Sequence, residues 1–500
     1  MKRAIEISSV QSDVQVIVPV GLRATAKRVM LINPPGKITV TEHGSRERKL
    51  AVPPLGLAYL GAQLLAHGFE VDILDVLIEG YENEVESAGS ILYGLSEDKI
   101  RQRIRSFNPD MIGVSCLFSN RGREAVRLCE IAKEEIPDAH VILGGQHPSG
   151  FPKLVGYDFI DYLMWGESEN SLIELLEAIN SGGNIKEVSQ IILKDASGGF
   201  WKSAKKNLPD VNQIPFPAWN LIRLADYWAA GLADYEVNTQ GEKRFMVMIS
   251  SRGCPHDCFF CTAPMMTERR YKYRALENII EEIESYRSQF GIQEIHFWDD
   301  NFFINKKRTK ELLRALISTF PGMSFQVPSG SEINALDDEV IDLMAQAGFK
   351  KLFLAVESPN EEIQESYVDK RVNLDRIRHI VEKLRDVGII SEGSFMVGFP
   401  HETKQQVDAT FQMVKEFGFD RISISIVNPL PGTGLYEMCE REGLLPDDFD
   451  PQNIRWSNEN IKLEGIERGY LGEKRRSVWL EYMSNRIDIE KYEKQNTKSD

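Results

Sequence analysis

The run Phe245-Met-Val-Met-Ile-Ser250 leads straight into Ser251-Arg-Gly-Cys254-Pro-His-Asp-Cys258-Phe-Phe-Cys261. An apolar run followed by a tight Gly- and Pro-containing loop predicts a buried strand whose end carries three thiols. Their spacing fits an iron–sulfur cluster better than zinc. A structural zinc site takes four protein ligands, and no second Cys pair or Cys/His pair follows at zinc-finger spacing. Three thiolates leave one iron of a [4Fe–4S] cube without a protein ligand, and that iron is the expected seat of chemistry. The alternative is three unrelated buried thiols, which sits poorly with three clustered cysteines out of six in the chain.

Downstream of this loop the pattern alternates between helix and strand. Helical runs at 275–290, 306–319, 338–347, 374–387 and 405–417 each precede an apolar strand. The strands are 294–298, 324–328, 351–356, 393–400 and 421–427, and polar residues cluster at their carboxyl ends. With the strand at 245–250 this makes six βα repeats. Upstream, strands at 28–33, 70–75, 111–116 and 140–144, with a fifth near 159–164, alternate with helices at 55–67, 97–106, 121–135 and 168–180. That pattern predicts a parallel, doubly wound sheet with ligands at its strand ends. There lie Asn33-Pro-Pro-Gly36, Ser115-Cys-Leu-Phe-Ser-Asn120, Gly144-Gly-Gln-His-Pro148 and Gly166-Glu-Ser-Glu169. Small residues admit close backbone approach to a flat ligand, although such turns also serve nucleotides, flavins or simple chain reversal.

The expected divisions are an extension at 1–25, a first domain at 26–180, a linker with a short hairpin at 181–244, a barrel at 245–440 and a polar helical region at 441–500. A chain of 500 residues exceeds the ~250–300 at which one core stops growing. Scattered Cys116, Cys129 and Cys439 form no disulfide framework, which points to a reducing, cytoplasmic setting. No secretory leader and no apolar run of membrane-spanning length is visible. The net charge of −16 argues against a nucleic-acid surface.

The Cys triplet with an aromatic before its last Cys resembles the radical S-adenosylmethionine (SAM) superfamily. With the Asn-Pro-Pro, Pro53-Pro-Leu-Gly-Leu-Ala-Tyr-Leu60, Gly-Gly and Gly-Glu-x-Glu elements ahead of it, residues 28–440 resemble the class B, cobalamin-dependent radical SAM methyltransferases. The resemblance implies an α/β chain: a Rossmann-like cobalamin-binding domain, then a partial (β/α)₆ radical SAM barrel, then a small helical region. It implies a [4Fe–4S] cluster on Cys254, Cys258 and Cys261, SAM, and cobalamin carried as methylcobalamin. For SAM it implies Asp299, Asp300 and Asn301 near the amino group, Ser329 and Glu357 near the ribose or carboxylate, Gly398 and Pro400 along the adenine, and Phe260 beside adenine or cluster. For Asp299 or Asp300 the competing role is a helix N-cap. For cobalamin it implies Asn33, Pro34, Ser115, Gly144, Gly145, Gly166 and Glu167. The loop after the first strand lacks the His that supplies an axial cobalt ligand in methionine-synthase-type domains; His147 is the remaining candidate and reads better as a turn residue.

By the same resemblance, reductive SAM cleavage, fed by a reductant such as flavodoxin or ferredoxin, activates an inert carbon of a small-molecule intermediate, and methylcobalamin supplies the methyl group. The catalytic residues stay unassigned. Asp75-Val-Leu-Ile-Glu-Gly-Tyr81, Tyr93-Gly-Leu-Ser-Glu-Asp98 and Ile214-Pro-Phe-Pro-Ala-Trp219 look similar to the fosfomycin-pathway branch of antibiotic biosynthesis, which methylates a cytidylylated 2-hydroxyethylphosphonate. Phosphorus methylation, tetrapyrrole cyclisation and hopanoid methylation use the same two modules. A cobalamin or redox sensor is the reading from another class, against which stands the lack of a DNA-binding element. Trp219, Tyr227, Trp228 and Tyr235 are expected to pack at a domain seam.

Overall fold

The computed structural model describes residues 15–39, 46, 49–87, 89–230, 244–370, 372–455 and 457–484. The expectation for Tyr235 falls outside the described residues. Two parallel sheets organise the chain. In the first part the strands are β1 Arg28–Asn33, β2 Gly36–Thr39, β3 Glu70–Asp75, β4 Glu84–Ser87, β5 Ser90–Tyr93, β6 Met111–Ser115, β7 His140–Gly144, β8 Tyr162–Met164, β9 Ile191–Lys194 and β10 Phe200–Lys202.

Seven of these form one sheet in the order β10-β9-β8-β7-β6-β1-β3. Strands β3, β1, β6, β7 and β8 run parallel. The connection from β3 to β6 passes over β1, so the strand order reverses beside β1 and β6, where a doubly wound sheet opens its ligand crevice. Helices Leu55–Ala66, Gly122–Glu135 and Glu169–Ser181 pack their apolar faces on the sheet. In Glu169–Ser181, buried Leu172, Ile173, Leu175, Leu176 and Ile179 lie on one side at helical spacing.

Two features depart from the sequence reading. The hairpin expected in the linker belongs to the first sheet: β9 and β10 extend it as antiparallel edge strands, and Ile191, Ile192 and Leu193 are fully buried. A free β8 edge would leave unpaired backbone groups, and the hairpin covers it. The second is a small antiparallel sheet, β2-β5-β4, that the sequence reading did not anticipate. It explains Gly36, since a Cβ there would lie 2.0 Å from the Tyr93 ring. That glycine makes room for a side chain of its own protein, not for a ligand.

The second sheet contains β11 Phe245–Met248, β14 Glu294–Phe297, β15 Ser324–Ser331, β16 Phe349–Glu357, β17 Ile390–Val397 and β18 Arg421–Ile426; the ribbon β12 Ser251–Arg252 and β13 Lys272–Tyr273 lies in the first crossover. The six strands are parallel and lie in sequence order, the open six-stranded barrel expected. Helix Leu374–Asp386 shows why the crossovers form: Asn373 caps it, and Ile377, Ile380, Val381 and Leu384 make its buried stripe. Register shifts in β15 and at the end of β16 bend the carboxyl ends, and Glu357 sits there at φ +65°, a conformation rare for a non-glycine residue.

The small helical region expected after 440 is present among the described residues. Helix Gly434–Arg441 is followed by irregular chain until helix Tyr470–Ser484, which docks on the barrel through Leu471, Val478, Tyr482 and Met483. Lys474 pairs with Asp408, and Arg475 donates to Ile424 O, so the basic Lys474-Arg-Arg476 run serves packing. Among the described residues no helix is long and apolar enough to cross a membrane.

Candidate active site at the seam of two strand-end faces

The root of the cysteine loop is held by the neighbouring strand end. Asp299 is buried, and its carboxylate accepts from Ser250 N at 2.7 Å, Ser250 Oγ at 2.6 Å and Ser251 Oγ at 2.5 Å. Burial pushes its carboxyl above the usual range. These three bonds make Asp299 a brace of the loop. Asp300 is exposed and accepts from Gly253 N at 2.8 Å with one oxygen. Gly253 has φ +89°, and a Cβ there would fall 1.9 Å from Arg270 O, so the turn before Cys254 requires glycine.

The three thiols emerge on this braced loop. Cys258 is buried and Cys254 and Cys261 are partly so. Burial pushes the Cys258 thiol up to about 12 and Cys261 to about 11. A buried thiolate therefore needs a cation or a metal to stabilise it. An ammonium and an amide donor both lie beside them. Lys370 lies close enough to pull both thiol pKa values down, and it donates to Glu357 Oε1 at 3.0 Å. Asn301 donates to Cys254 Sγ at 3.6 Å and to Glu332 Oε2 at 3.2 Å, while its Oδ1 is buried without a partner among the described residues.

Among the described residues no three His, Cys, Asp or Glu side chains are disposed to hold a single metal ion. A cube makes no such demand, because each thiolate binds a different iron. Three thiols on one loop, beside a partly buried ammonium, fit a [4Fe–4S] cluster.

The remaining barrel residues divide in two. Ser329 donates to Asp299 O at 2.6 Å and so supports the brace. Gly398 gives its N–H to Glu402 Oε2 at 2.6 Å, and a Cβ on it would meet Leu471 at 2.7 Å, so that side of the residue is filled by protein. Pro400 O accepts from Tyr367, and Phe260 meets Phe399 edge-on at 5.9 Å. Three functional residues escaped the sequence reading. Glu332 joins Asn301 to His256 inside the cysteine loop, the last at 2.8 Å. Lys370 reads as part of a surface charge run in Asp369-Lys-Arg, and no sequence signal marks it as buried. Glu402, pushed by burial up to about 7, also accepts from Phe399 N at 3.0 Å; its place two residues past Pro400 was the available hint.

On the first sheet the expected cobalamin contacts also split. Asn33 and Pro34 are buried, and Asn33 Nδ2 donates to Asp75 Oδ1 at 2.8 Å, while Tyr227 OH donates to Asp75 Oδ2 at 2.5 Å. Asn33 thus ties the end of β1 to the end of β3. Gly145 has φ +112°, and a Cβ would sit 2.6 Å from Cys116 O, so its close neighbour is its own chain. Gly144 is different: a Cβ would meet nothing nearer than Met164 at 3.8 Å. Beyond partly exposed Ser115, Leu117 and Phe118 stand 49% and 55% exposed at the end of β6. Large exposed apolar side chains beside an open Gly144 fit a broad, flat ligand laid across these strand ends. His147 is not aimed there. Its Nδ1 pairs with Ser119 Oγ at 2.9 Å, and a Cβ on Gly122 would touch both its Nε2 and the Gln452 Cα; burial draws its pKa down to about 4.

The two strand-end faces meet directly. Glu169 binds Arg252 at 2.7 Å, Glu167 binds Lys272 at 2.5 Å, and Arg252 stacks over Tyr59 at 5.1 Å. Glu167 therefore ties the first domain to the ribbon beside the cysteine loop. Gly166 turns the chain at φ +69°, and Gln190 Nε2 would lie 3.0 Å from a Cβ there. Gln146 donates to Thr262, just past Cys261. On the other flank, residues 450–455 strap the modules together: Asn453 accepts from Lys37 at 2.9 Å, Arg455 reaches Thr39 at 2.9 Å, and Asn428 holds Arg455 O at 2.8 Å.

Residues 248–414 match the family model of the radical SAM superfamily, and residues 45–176 match that of the B12 binding domain. The chain thus carries a radical SAM domain behind a B12 binding domain. It is 28% identical over 476 residues to a cytidylyl-2-hydroxyethylphosphonate methyltransferase of Streptomyces wedmorensis, covering 89% of this chain and 87% of that one. It is 24% identical over 442 residues to an anaerobic magnesium-protoporphyrin IX monomethyl ester cyclase of Rubrivivax gelatinosus, covering 88% and 75%. Its fold is shared with the radical S-adenosylmethionine methyltransferase TsrM of Kitasatospora setae, solved with cobalamin and a [4Fe–4S] cluster: TM-score 0.70, 18% identity, 91% of each chain.

Proposed function

We propose that this chain is a cobalamin-dependent radical SAM methyltransferase acting on an unactivated carbon of a small-molecule biosynthetic intermediate. The observation that carries it is the seam: a cysteine loop fit for a cluster and an apolar strand-end crevice fit for a corrin face each other across Gln146–Thr262 and Glu169–Arg252. When bound, the cluster with SAM supplies radical chemistry and cobalamin supplies a transferable methyl group. The protein's own residues supply the rest. Asp299 and Asp300 fix the root of the cluster loop, Asn301 and Lys370 stabilise charge on its thiolates, and Glu332 ties His256 of the loop to the barrel. Asp300, Asn301, Glu357 and the Gly398–Pro400 turn line the face left for SAM.

The substrate reading is a cytidylylated 2-hydroxyethylphosphonate or a close relative, supported by near-full-length likeness to the Streptomyces wedmorensis enzyme. The test is anaerobic reconstitution with iron, sulfide and cobalamin, followed by product analysis with candidate phosphonates and a reductant such as flavodoxin or ferredoxin. Methylated product together with 5′-deoxyadenosine and S-adenosylhomocysteine is expected. Methylation that persists without cobalamin refutes the proposal.

A further inference from the structure

At the edge of the first sheet, pairing of Lys202 with Ile192 and of Ile192 with Leu163 sets Lys202 beside the carboxyl end of β8. Trp165 follows that strand. Lys202 Nζ stands 4.0 Å from the centroid of the Trp165 ring, and Lys206 Nζ approaches the same ring at 5.5 Å. Lys202 has no acidic partner among the described residues. Burial, with the nearby charge of Lys206, draws its pKa down to about 8. Lys206 shares the single carboxylate of Glu268 with Arg270, the latter at 3.7 Å. Trp165 is only 6% exposed, and its indole Nε1–H is buried with no acceptor among the described residues.

This arrangement is costly unless something completes it. The chain carries a net charge of −16, yet here Lys206 and Arg270 share one carboxylate, Lys202 has none, and a buried donor goes unused. A buried N–H without an acceptor costs about 1–3 kcal/mol, and two ammonium groups over one indole repel each other. Other basic residues nearby are matched: Lys205 by Glu187, Lys272 by Glu167, Arg269 by Asp257. The missing element is an anion with several acceptor oxygens. It would sit next to Gly166–Glu167, where the two modules meet.

We propose that Lys202, Lys206 and the indole N–H of Trp165 form a binding site for a phosphate-class oxyanion at the edge of the seam. The chemistry admits two sources: the phosphodiester in the nucleotide loop of cobalamin, or a phosphate or phosphonate of the substrate. Only that choice of source rests on the proposed function.

The experiment uses the full chain free of cobalamin and titrates it calorimetrically with inorganic pyrophosphate. One pyrophosphate per chain is expected, weakening as salt is raised. Lys202→Met keeps the aliphatic stem on Trp165 and is expected to lower affinity at least about tenfold, as is typical for a charge-assisted bond. Trp165→Phe, which removes the donor, lowers it less, and Lys202→Arg retains binding. The source is read by comparing cobalamin with cobinamide, which lacks the nucleotide loop. If Lys202→Met loses about tenfold for cobalamin but not for cobinamide, the cofactor's phosphodiester occupies the site. If both corrinoids bind as before and only pyrophosphate weakens, the occupant is a substrate phosphate. Unchanged cobinamide binding also certifies the fold of the variant. The proposal is overturned if pyrophosphate does not bind, or if Lys202→Met/Lys206→Met binds pyrophosphate and cobalamin as the parent does. Failure of the chain to bind any corrinoid would strike the functional reading and leave the pyrophosphate result standing.

Discussion

Replacing Arg252 by Met tests whether the first domain holds the cluster loop. The Arg252 side chain is 12% exposed and that of Glu169 is 8% exposed, with 2.7 Å between them. The substitution keeps the stem volume but removes the guanidinium. Glu167 still has Lys272, whereas Glu169 keeps no cation among the described residues. Stranding one member of a buried pair costs about 3–5 kcal/mol, against ~0–1 kcal/mol for an exposed pair. At 2–4 °C per kcal/mol, the thermal midpoint of the barrel is expected to fall on the order of 10 °C. Iron uptake on reconstitution should fall with it. Arg252→Met/Glu169→Gln should recover most of the loss, because no charge is left stranded. A shift under about 2 °C, or no recovery in the double variant, would refute the reasoning.

Replacement of Cys254, Cys258 or Cys261 by Ala should abolish cluster absorbance and SAM cleavage while cobalamin content stays at the parent level; iron content and bound corrinoid are the readouts. Gly144→Leu is expected to reduce cobalamin retention without loss of thermal stability, since its surroundings are open, whereas Gly145→Ala should destabilise the domain because φ +112° and the Cys116 carbonyl oppose a Cβ. For His147, whose pKa of about 4 lies below the unfolded ~6.5, the neutral form is the one that fits; its contribution is intact above pH 6.5 and about 3 kcal/mol is lost as pH falls to 4. A His147→Gln variant should show a flatter stability profile across that interval in denaturant titrations. Asp75, raised to about 6, has the opposite sign, so Asp75→Asn should remove a loss of stability otherwise seen between pH 4 and 6.

Periodicity made both parallel sheets legible in the sequence. The alternation of apolar strands with amphipathic helices has local causes, such as the Asn373 cap and the Ile377–Leu384 stripe, and each is visible within one helix. The cysteine loop was legible for the same reason, because all three ligands lie on one short segment. The hairpin at Ile191–Lys194 was recognised as strand and turn but misplaced as a linker: which edge a strand joins depends on a neighbour 30 residues away. Tyr93 gave no local sign that its ring would require Gly36.

The sequence by itself determined which chemistry the chain is equipped for, since cysteine spacing and repeating βα units are properties of contiguous residues. It did not decide what each polar residue at a strand end does. Asp299, Asn33 and Glu167 all have the composition of ligand-binding positions, yet the fold gives them Ser250 and Ser251, Asp75, and Lys272. Conversely Lys370, Glu332 and the pair Lys202–Trp165 acquire their roles from partners far along the chain. A buried charge or donor must be satisfied by whatever group tertiary packing brings within about 3 Å. That partner is set by the meeting of two sheets at their carboxyl ends, and no stretch of either sheet contains it.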